Sequence, residues 1–191
     1  MSEKSIFEKK NKIKKNIFVK SVFFGKNIYI KKEKEFIKIK GPLGEVDKIF
    51  ISKEINLFFK ERSIEIKSEN KAMCGTYKSL IENYIFGVEK GYKKILKVEG
   101  IGYKVIKKEK NMEFSLGKSH LDYVSIPSNL NVNVENNIIT IIGIDKQIVG
   151  HFAANKIRNL KIPSVYKKSK GIYYLGEQEK IKLKPGKSLN K

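Results

Sequence analysis

The sequence is poor in the residues that build disulfides, metal centres and membrane spans. Its 191 residues include one cysteine, Cys74, two histidines and no tryptophan. A single cysteine excludes an intramolecular disulfide and a cysteine-rich metal cluster, so Cys74 is predicted to be a buried structural thiol. No apolar run approaches the roughly 18 residues that a membrane-spanning helix requires. We therefore expect no metal, no cofactor and no membrane-spanning segment.

Acidic residues and arginines are also scarce. The chain has 41 Lys and Arg residues against 20 Asp and Glu residues, which gives a formal net charge of +21. A folded chain with this excess repels itself unless a polyanion is nearby, so nucleic acid or an anionic membrane surface is the first partner to consider. The arginines are Arg62 and Arg158 alone. Lysine lacks the planar fork that reads guanine edges, so the composition favours neutralisation of a phosphate backbone over sequence readout.

The common catalytic signatures are missing as well. Neither His120 nor His151 lies in an HExxH, GxSxG, Walker or GxGxxG pattern. His120 ends a turn that begins at Leu116 beside a predicted strand, which favours a hydrogen-bonding or RNA-contacting role over that of a general base. A non-enzymatic binding protein is thus the leading hypothesis. The alternatives are a membrane-surface or other polyanion-binding module and an RNA-modifying enzyme.

What the sequence does contain is a repeated order of strands and helix. Alternating runs predict strands at residues 27–30, 35–40, 55–60 and 63–67, with turns at 31–34, 41–44 and 61–62. A helical period follows Asn70 and closes at Gly91. A shift of 75 positions superposes Asn56 on Asn131 and Ile64 on Ile139, and it keeps the phase of the strand faces without a gap over about fifty residues. Chance alternation of two β-rich stretches is the alternative to a duplication.

The repeat predicts an α+β fold of two tandem similar domains, each a small antiparallel sheet packed against one helix. We expect a flexible basic N-terminal extension over residues 1–16 and a first domain over 17–91. A second domain would cover 92–165, and a basic C-terminal tail would cover 166–191.

The most informative stretch runs from Ile144 to Gly176. Asp145 can act as an N-cap, and the apolar residues Ile148, Phe152, Ile157 and Leu160 follow on one helical face. Pro163 is predicted to end the helix. The segment from Tyr166 to Tyr174 carries lysines and tyrosines with no core pattern, which suits phosphates and stacked bases.

Five motifs together resemble the family of the sixth protein of the large ribosomal subunit, in its bacterial or organellar form. They are KGPLGEV at Lys40 to Val46, GTYKSLIENYIFGVEKGYKKIL at Gly75 to Leu96, VEGIGYKV at Val98 to Val105, LGKSH at Leu116 to His120, and GIDKQIVGHFAANKIRNLKIP at Gly143 to Pro163. The chain departs from the family pattern by one extra residue between Tyr166 and Gly171. It also has Leu121 where a proline would follow the histidine.

This resemblance implies a non-enzymatic protein of two α+β domains that docks on large-subunit ribosomal RNA. Its place would be near the stalk base and the loop where translation factors bind, beside neighbouring large-subunit ribosomal proteins and away from any membrane. The RNA-binding residues that the resemblance implies are Ser119, His120, Lys146, Gln147, Lys156, Arg158, Lys161, Tyr166, Lys167, Lys168 and Lys170.

Composition also bears on where the protein works. The excess of lysine, asparagine and isoleucine is typical of AT-rich codons, and the N-terminus lacks the pattern of a clear targeting peptide. Together with the bacterial-type motifs, these features favour a mitochondrial ribosome and a protein encoded inside the organelle. A plastid or the cytoplasm of an AT-rich bacterium is the alternative.

Overall fold

The structure is a computed structural model, and it describes residues 17–33, 36–50, 54–164, 166, 170–177 and 181–182. We use "first half" for the elements up to α1 and "second half" for those after it. The elements of the first half are β1 (Phe18–Phe23), β2 (Tyr29–Glu33), β3 (Phe36–Gly41), β4 (Gly44–Phe50), β5 (Ile55–Lys60), β6 (Ser63–Ser68) and α1 (Lys71–Glu89).

The second half repeats this order and adds one strand. Its strands are β7 (Tyr92–Glu99), β8 (Lys104–Lys108), β9 (Asn111–Ser115), β10 (Asp122–Ser125), β11 (Leu130–Glu135), β12 (Ile138–Gly143) and β13 (Gly171–Tyr174). Its helix α2 (Lys146–His151) continues as a π-helical turn, Phe152–Ile157, and a 3-10 turn, Arg158–Leu160. The predicted α+β class is confirmed.

Each half contains two antiparallel sheets. In the first half the strand orders are β1-β6-β5 and β2-β3-β4; in the second they are β11-β12-β7-β13 and β10-β9-β8. The strands β2 and β8 start 75 residues apart, at Tyr29 and Lys104, and α1 and α2 start 75 residues apart, at Lys71 and Lys146. The repeat predicted from the strand phase therefore corresponds to a repeated topology. The domain boundaries after residues 16, 91 and 165 stay predictions, and residues 1–16 lie outside the described part of the chain.

Each half has its own buried apolar cluster beneath its helix. Alternation puts every second strand residue inward, as at Ile64 and Ile66 of β6 and at Ile139 and Ile141 of β12, all of which are fully buried. Cys74 belongs to the first cluster with none of its surface exposed, and its thiol donates to the Ile66 carbonyl oxygen at 3.4 Å. The prediction of a buried structural thiol is confirmed.

The helix α1 begins and ends where the sequence signals lie. The Asn70 side chain accepts a hydrogen bond from the backbone N of Ala72 at 2.9 Å, which satisfies one of the free N–H groups of the first turn. At the other end Gly91 has a φ of +77°, a conformation that glycine adopts without steric cost.

The two halves meet where α1 passes the start of α2. A Cβ atom at Gly87 would lie 2.0 Å from the carbonyl oxygen of Ile144, so only glycine allows this approach. The Lys146 ammonium donates to Asn83 Oδ1 at 3.0 Å, and the Tyr92 hydroxyl donates to the Asn83 carbonyl oxygen at 2.9 Å. Asn83 in the first half is thus bonded by two residues of the second.

Two local expectations need correction. The predicted turn at 31–34 is wrong in its first part, because β2 continues to Glu33. The helical region ends at Leu160, before Pro163. The change to a π-helical turn also explains the spacing of five between Phe152 and Ile157. A π-helix has backbone hydrogen bonds between residues five apart, so both side chains point to the same buried face of the helix.

The largest correction concerns the segment after Pro163. The interpretation of Tyr166 to Tyr174 as lacking a core pattern is wrong for its second part, because Ile172 and Tyr173 are buried. These residues belong to β13, which pairs antiparallel with β7 and becomes the fourth strand of that sheet. A segment expected to be a free tail therefore completes the core of the second half.

Candidate nucleic-acid interface

The start of α2 carries two of the predicted RNA-binding residues. Asp145 Oδ1 accepts the backbone N–H of Gln147 at 2.7 Å, which confirms Asp145 as the N-cap. The Gln147 side chain is exposed. Lys146 is also exposed, but its ammonium is bonded to Asn83 and lies 5.9 Å from the centre of the Tyr92 ring. Lys146 therefore has a second role in joining the two halves.

The end of the helical region carries Lys156 and Arg158, and the two differ. Lys156 is exposed. Arg158 is half-buried, is ion-paired with Glu177 and lies over the Tyr174 ring at 5.5 Å, so it is not a free cation on an exposed helix face. Its Nε atom is buried and has no hydrogen-bond partner among the described residues. Burial raises the pKa of Tyr174, and the Arg158 charge acts in the opposite direction.

The turn between β9 and β10 exposes Ser119 and His120 at one end of that sheet. Gly117 starts the turn with a φ of +67°. Asp122 contacts two side chains of the turn, since its carboxylate oxygens lie 2.8 Å from the Lys118 ammonium and 3.6 Å from His120 Nε2. The hydroxyl of Ser119 and the imidazole of His120 face solvent.

The remaining predicted residues are Lys161 and four residues of the segment 164–170, which we call the basic loop. The backbone N–H of Ser164 donates to the Lys170 carbonyl oxygen at 3.0 Å, and that of Ile172 donates to the Lys161 carbonyl oxygen at 2.9 Å. Tyr166 and Lys170 are exposed on the loop. The structure therefore brings Lys161 and Lys170 to the two sides of one neck. Lys167 and Lys168 lie outside the described residues.

Gly171 makes this neck possible. It has a φ of +137°, and a Cβ atom there would lie 2.7 Å from Pro163 Cα and 3.1 Å from the Ile162 carbonyl oxygen. Both the backbone conformation and the close approach require glycine. The sequence signal for the neck was Gly171, which directly follows Lys170. Its close approach to Pro163 was not predicted.

The sequence reasoning missed one exposed face in the second half. Tyr123 and Ile106 project from the outer side of the sheet β10-β9-β8, beside the turn that carries Ser119 and His120. The alternation of Lys104, Ile106 and Lys108 was the signal that could have shown it. In the described part of the chain no three His, Cys, Asp or Glu side chains are grouped as metal ligands, and no helix is long and apolar enough to cross a membrane.

Known proteins are similar in sequence to most of this chain. Residues 99–174 match the model of the family "Ribosomal protein L6". Large ribosomal subunit protein uL6 of Mycoplasmopsis pulmonis is 42% identical over 168 residues, which cover 85% of this chain and 91% of the relative. The chain belongs to the ribosomal protein L6 family.

Two further relatives in the L6 family match a similar share of the chain. Large ribosomal subunit protein uL6c of Guillardia theta is 38% identical over 173 residues, which cover 87% of this chain and 94% of the relative. The uL6 protein of Persephonella marina is 42% identical over 164 residues, which cover 83% and 89%. L6 proteins are ribosomal proteins and not enzymes, so the prediction of a non-enzymatic protein is confirmed. The turn, the helical face and the basic loop all lie within the residues that match the family model.

Proposed function

We propose that this L6 protein is a structural constituent of the large ribosomal subunit that binds large-subunit ribosomal RNA and so supports translation. Its place is near the stalk base and the loop where translation factors bind, beside neighbouring ribosomal proteins. The observation that supports the proposal is the hydrogen-bonded neck of the basic loop, which holds Lys161 and Lys170 at the edge of a completed sheet. Membership of the L6 family supports the same assignment.

The neck fixes where the positive charges lie. Two backbone hydrogen bonds, Ser164 to Lys170 and Ile172 to Lys161, close the loop at its base. Since β13 ties this base to β7, Lys161 and Lys170 start from a fixed backbone and lose less conformational entropy on binding than lysines on a free tail. Each ammonium that neutralises a phosphate releases condensed counterions, and this release dominates backbone binding.

The other predicted residues fit an RNA backbone as well. RNA helices hide base edges in a deep groove and expose phosphates and 2′-hydroxyls, which suit short polar and cationic side chains. Ser119, His120, Gln147 and Lys156 are all exposed. Arg158 contributes less charge, because Glu177 neutralises it, and its role is to anchor the strand that follows the loop.

The cellular location is proposed from composition. Two of the relatives named above come from bacteria, and the Guillardia theta relative is a uL6c protein. The AT-biased composition makes a mitochondrial ribosome our proposal, with a plastid or bacterial ribosome as the alternative. Sequencing of the ribosomal RNA that co-purifies with the protein from its source cells would decide between them.

The test is binding of purified protein to large-subunit ribosomal RNA of Mycoplasmopsis pulmonis as a function of salt. Truncation after Pro163 is unsuitable, because it removes β13 from the core. We would instead replace Lys167, Lys168 and Lys170 together by glutamine. If the loop contacts three phosphates, the slope of log affinity against log salt falls by about 2, at roughly 0.7 to 0.9 per phosphate.

A matched control uses three exposed lysines of the first half. Replacement of Lys20, Lys26 and Lys32 by glutamine makes the same change in net charge away from the loop. We expect this control to keep most of the wild-type slope. Equal losses in both triple variants would show that only net charge matters, and they would contradict a specific loop interface.

The alternative, a polyanion- or membrane-surface-binding module, makes a different prediction. Such a protein would bind phosphatidylserine vesicles at physiological salt as well as it binds RNA. A membrane-surface helix requires a broad apolar face with a basic opposite face. Here α2 has six residues and its apolar side chains enter the core, so we expect little vesicle binding.

A further inference from the structure

The outer face of the sheet β10-β9-β8 has an unusual composition. The strands pair so that residues of the three strands form rungs across this face. From the end nearest the Ser119 turn, the rungs are Lys104 with Ser115, Ile106 with Glu113 and Tyr123, and Lys108 with Asn111 and Ser125.

The opposite face of the same sheet explains why these side chains point outward. Successive strand residues alternate between faces, and the inward set packs in the apolar cluster of the second half. That set is Val105, Met112, Phe114 and Val124. Tyr123 and Ile106 therefore cannot reach the core, and they remain 63% and 53% exposed. They flank Glu113 on the two outer strands.

The charges on this face suit a polyanion. Lys104 and Lys108 are exposed at its two ends. Glu113 is the carboxylate on the rungs, and the Lys108 ammonium bonds it at 2.6 Å. The face therefore presents a phenol ring and an aliphatic side chain between two lysines, and its one negative charge is neutralised.

The matching face of the first half carries more carboxylates. There Tyr29 is 73% exposed on β2, in a sheet of the same topology. Its neighbours on that face include two carboxylates, Glu33 and Glu45, which lie 3.9 Å from Lys31 and 3.4 Å from Lys38. Both halves therefore expose a tyrosine on the outer face of this sheet, and the rungs of the second half carry one paired carboxylate where those of the first carry two.

The size of the face indicates what it can bind. Strands of four or five residues at about 3.3 Å per residue, spaced by about 4.8 Å, give a surface of roughly 150 Å². A stable protein partner needs about 800 Å² on each side, which is far more. One planar base stacked on a tyrosine fits this area, with a lysine beside it to hold the adjoining phosphate.

We propose that Tyr123 is a stacking platform for an unpaired base of large-subunit ribosomal RNA, with Lys104 holding the adjoining phosphate. The proposal rests on the proposed function and extends it from phosphate neutralisation to base contact. The face adjoins the predicted interface directly, since Tyr123 follows His120 by three residues on the strand that leaves the turn. Sequence-specific RNA recognition commonly uses such aromatic side chains on sheets to stack splayed bases.

The test separates stacking from charge. In the RNA-binding assay above, Tyr123→Thr removes the ring but keeps a side chain that favours strands, and Tyr123→Phe keeps the ring. We expect Tyr123→Thr to weaken binding by roughly 5- to 150-fold, the range for loss of one stacked base. The salt slope stays unchanged because no phosphate contact is lost. Tyr123→Phe binds like the wild type.

Tyr29→Thr is the matched control, because it removes an equally exposed tyrosine from the equivalent sheet. It should leave RNA binding unchanged. If Tyr123→Thr binds as tightly as the wild type while the loop lysine variant shows its reduced slope, the stacking proposal is wrong and the proposed function stands. If the wild type itself fails to bind the RNA, the proposed function is contradicted first.

Photocrosslinking gives a second readout that does not depend on affinity. RNA that contains 4-thiouridine, crosslinked to the wild-type protein and digested, should yield a crosslinked peptide that includes Tyr123. Crosslinks confined to peptides of the first half would overturn the proposal.

Discussion

The approach of α1 to Ile144 gives the sharpest prediction about stability. In most helices, replacement of glycine by alanine stabilises the protein by about 1 kcal/mol, because alanine restricts the unfolded chain. At Gly87 the new Cβ atom would lie 2.0 Å from the Ile144 carbonyl oxygen, which is 1.4 Å short of the 3.4 Å where ordinary contact begins. A backbone carbonyl cannot rotate away as a side chain can, so α1 and the residues before α2 must separate.

The magnitude follows from the cost of overpacking. Forced backbone shifts in packed regions typically cost 1–3 kcal/mol, and we place this clash at about 3 because the obstacle is backbone. Subtracting the helix-propensity gain of about 1 kcal/mol leaves a net loss of about 2 kcal/mol for Gly87→Ala. Gly75 lies in the same helix, and a Cβ atom there meets only the Lys20 ammonium at 3.5 Å. Gly75→Ala should therefore stabilise the protein by up to about 1 kcal/mol.

Urea unfolding of both variants measures these free energies, and the difference between them should be about 3 kcal/mol. The m-values should match the wild type, so that the shift in midpoint reports stability alone. A Gly87→Ala variant as stable as Gly75→Ala would refute the close approach between the halves.

Three further predictions test other parts of the structure. Asp145→Ala removes the cap of α2 and should cost about 0.5–2 kcal/mol in urea unfolding, whereas Asp145→Asn should cost less; equal losses would argue against a capping role. Cys74 should react with a thiol reagent in the native protein no faster than the apolar cluster of the first half opens to solvent, and fast labelling would contradict its burial. Burial, and secondarily Asp145, raises the pKa of Tyr84 and Tyr92, so the folded state favours the neutral phenols. Their contribution to stability is present below the ordinary tyrosine pKa of about 10 and is lost as pH rises through the higher folded value. Urea midpoints between pH 8 and 11 should show less alkaline loss in Tyr92→Phe than in the wild type.

The sequence predicted those parts of the fold that depend on local patterns. Alternation located most strands because one face of each is buried, and Asn70 and Gly91 located the ends of α1 because each acts on its own helix. The duplication was visible because a strand face cannot shift by one residue without exposing its core side chains.

Features that depend on distant partners were not predictable. The fourth strand, β13, has four residues among lysines, and only pairing with β7 makes Ile172 a core residue. Arg158 faces Glu177, nineteen residues along the chain, which no helical pattern reveals. Lys146 bonds Asn83 from 63 residues away. In each case a charged or short segment was given the solvent-facing role that its composition favours.

The pairing of β13 with β7 also orders events during synthesis. Chains fold from the N-terminus as they are made, so the first half can close its core while the second half is still being translated. The four-stranded sheet of the second half must wait for Gly171 to Tyr174. Because the neck of the basic loop depends on that last strand, the neck closes only when the second core is complete. A chain that misfolds in its second half therefore lacks the closed neck, and if the loop binds RNA as we propose, assembly on RNA would itself select for correctly folded protein.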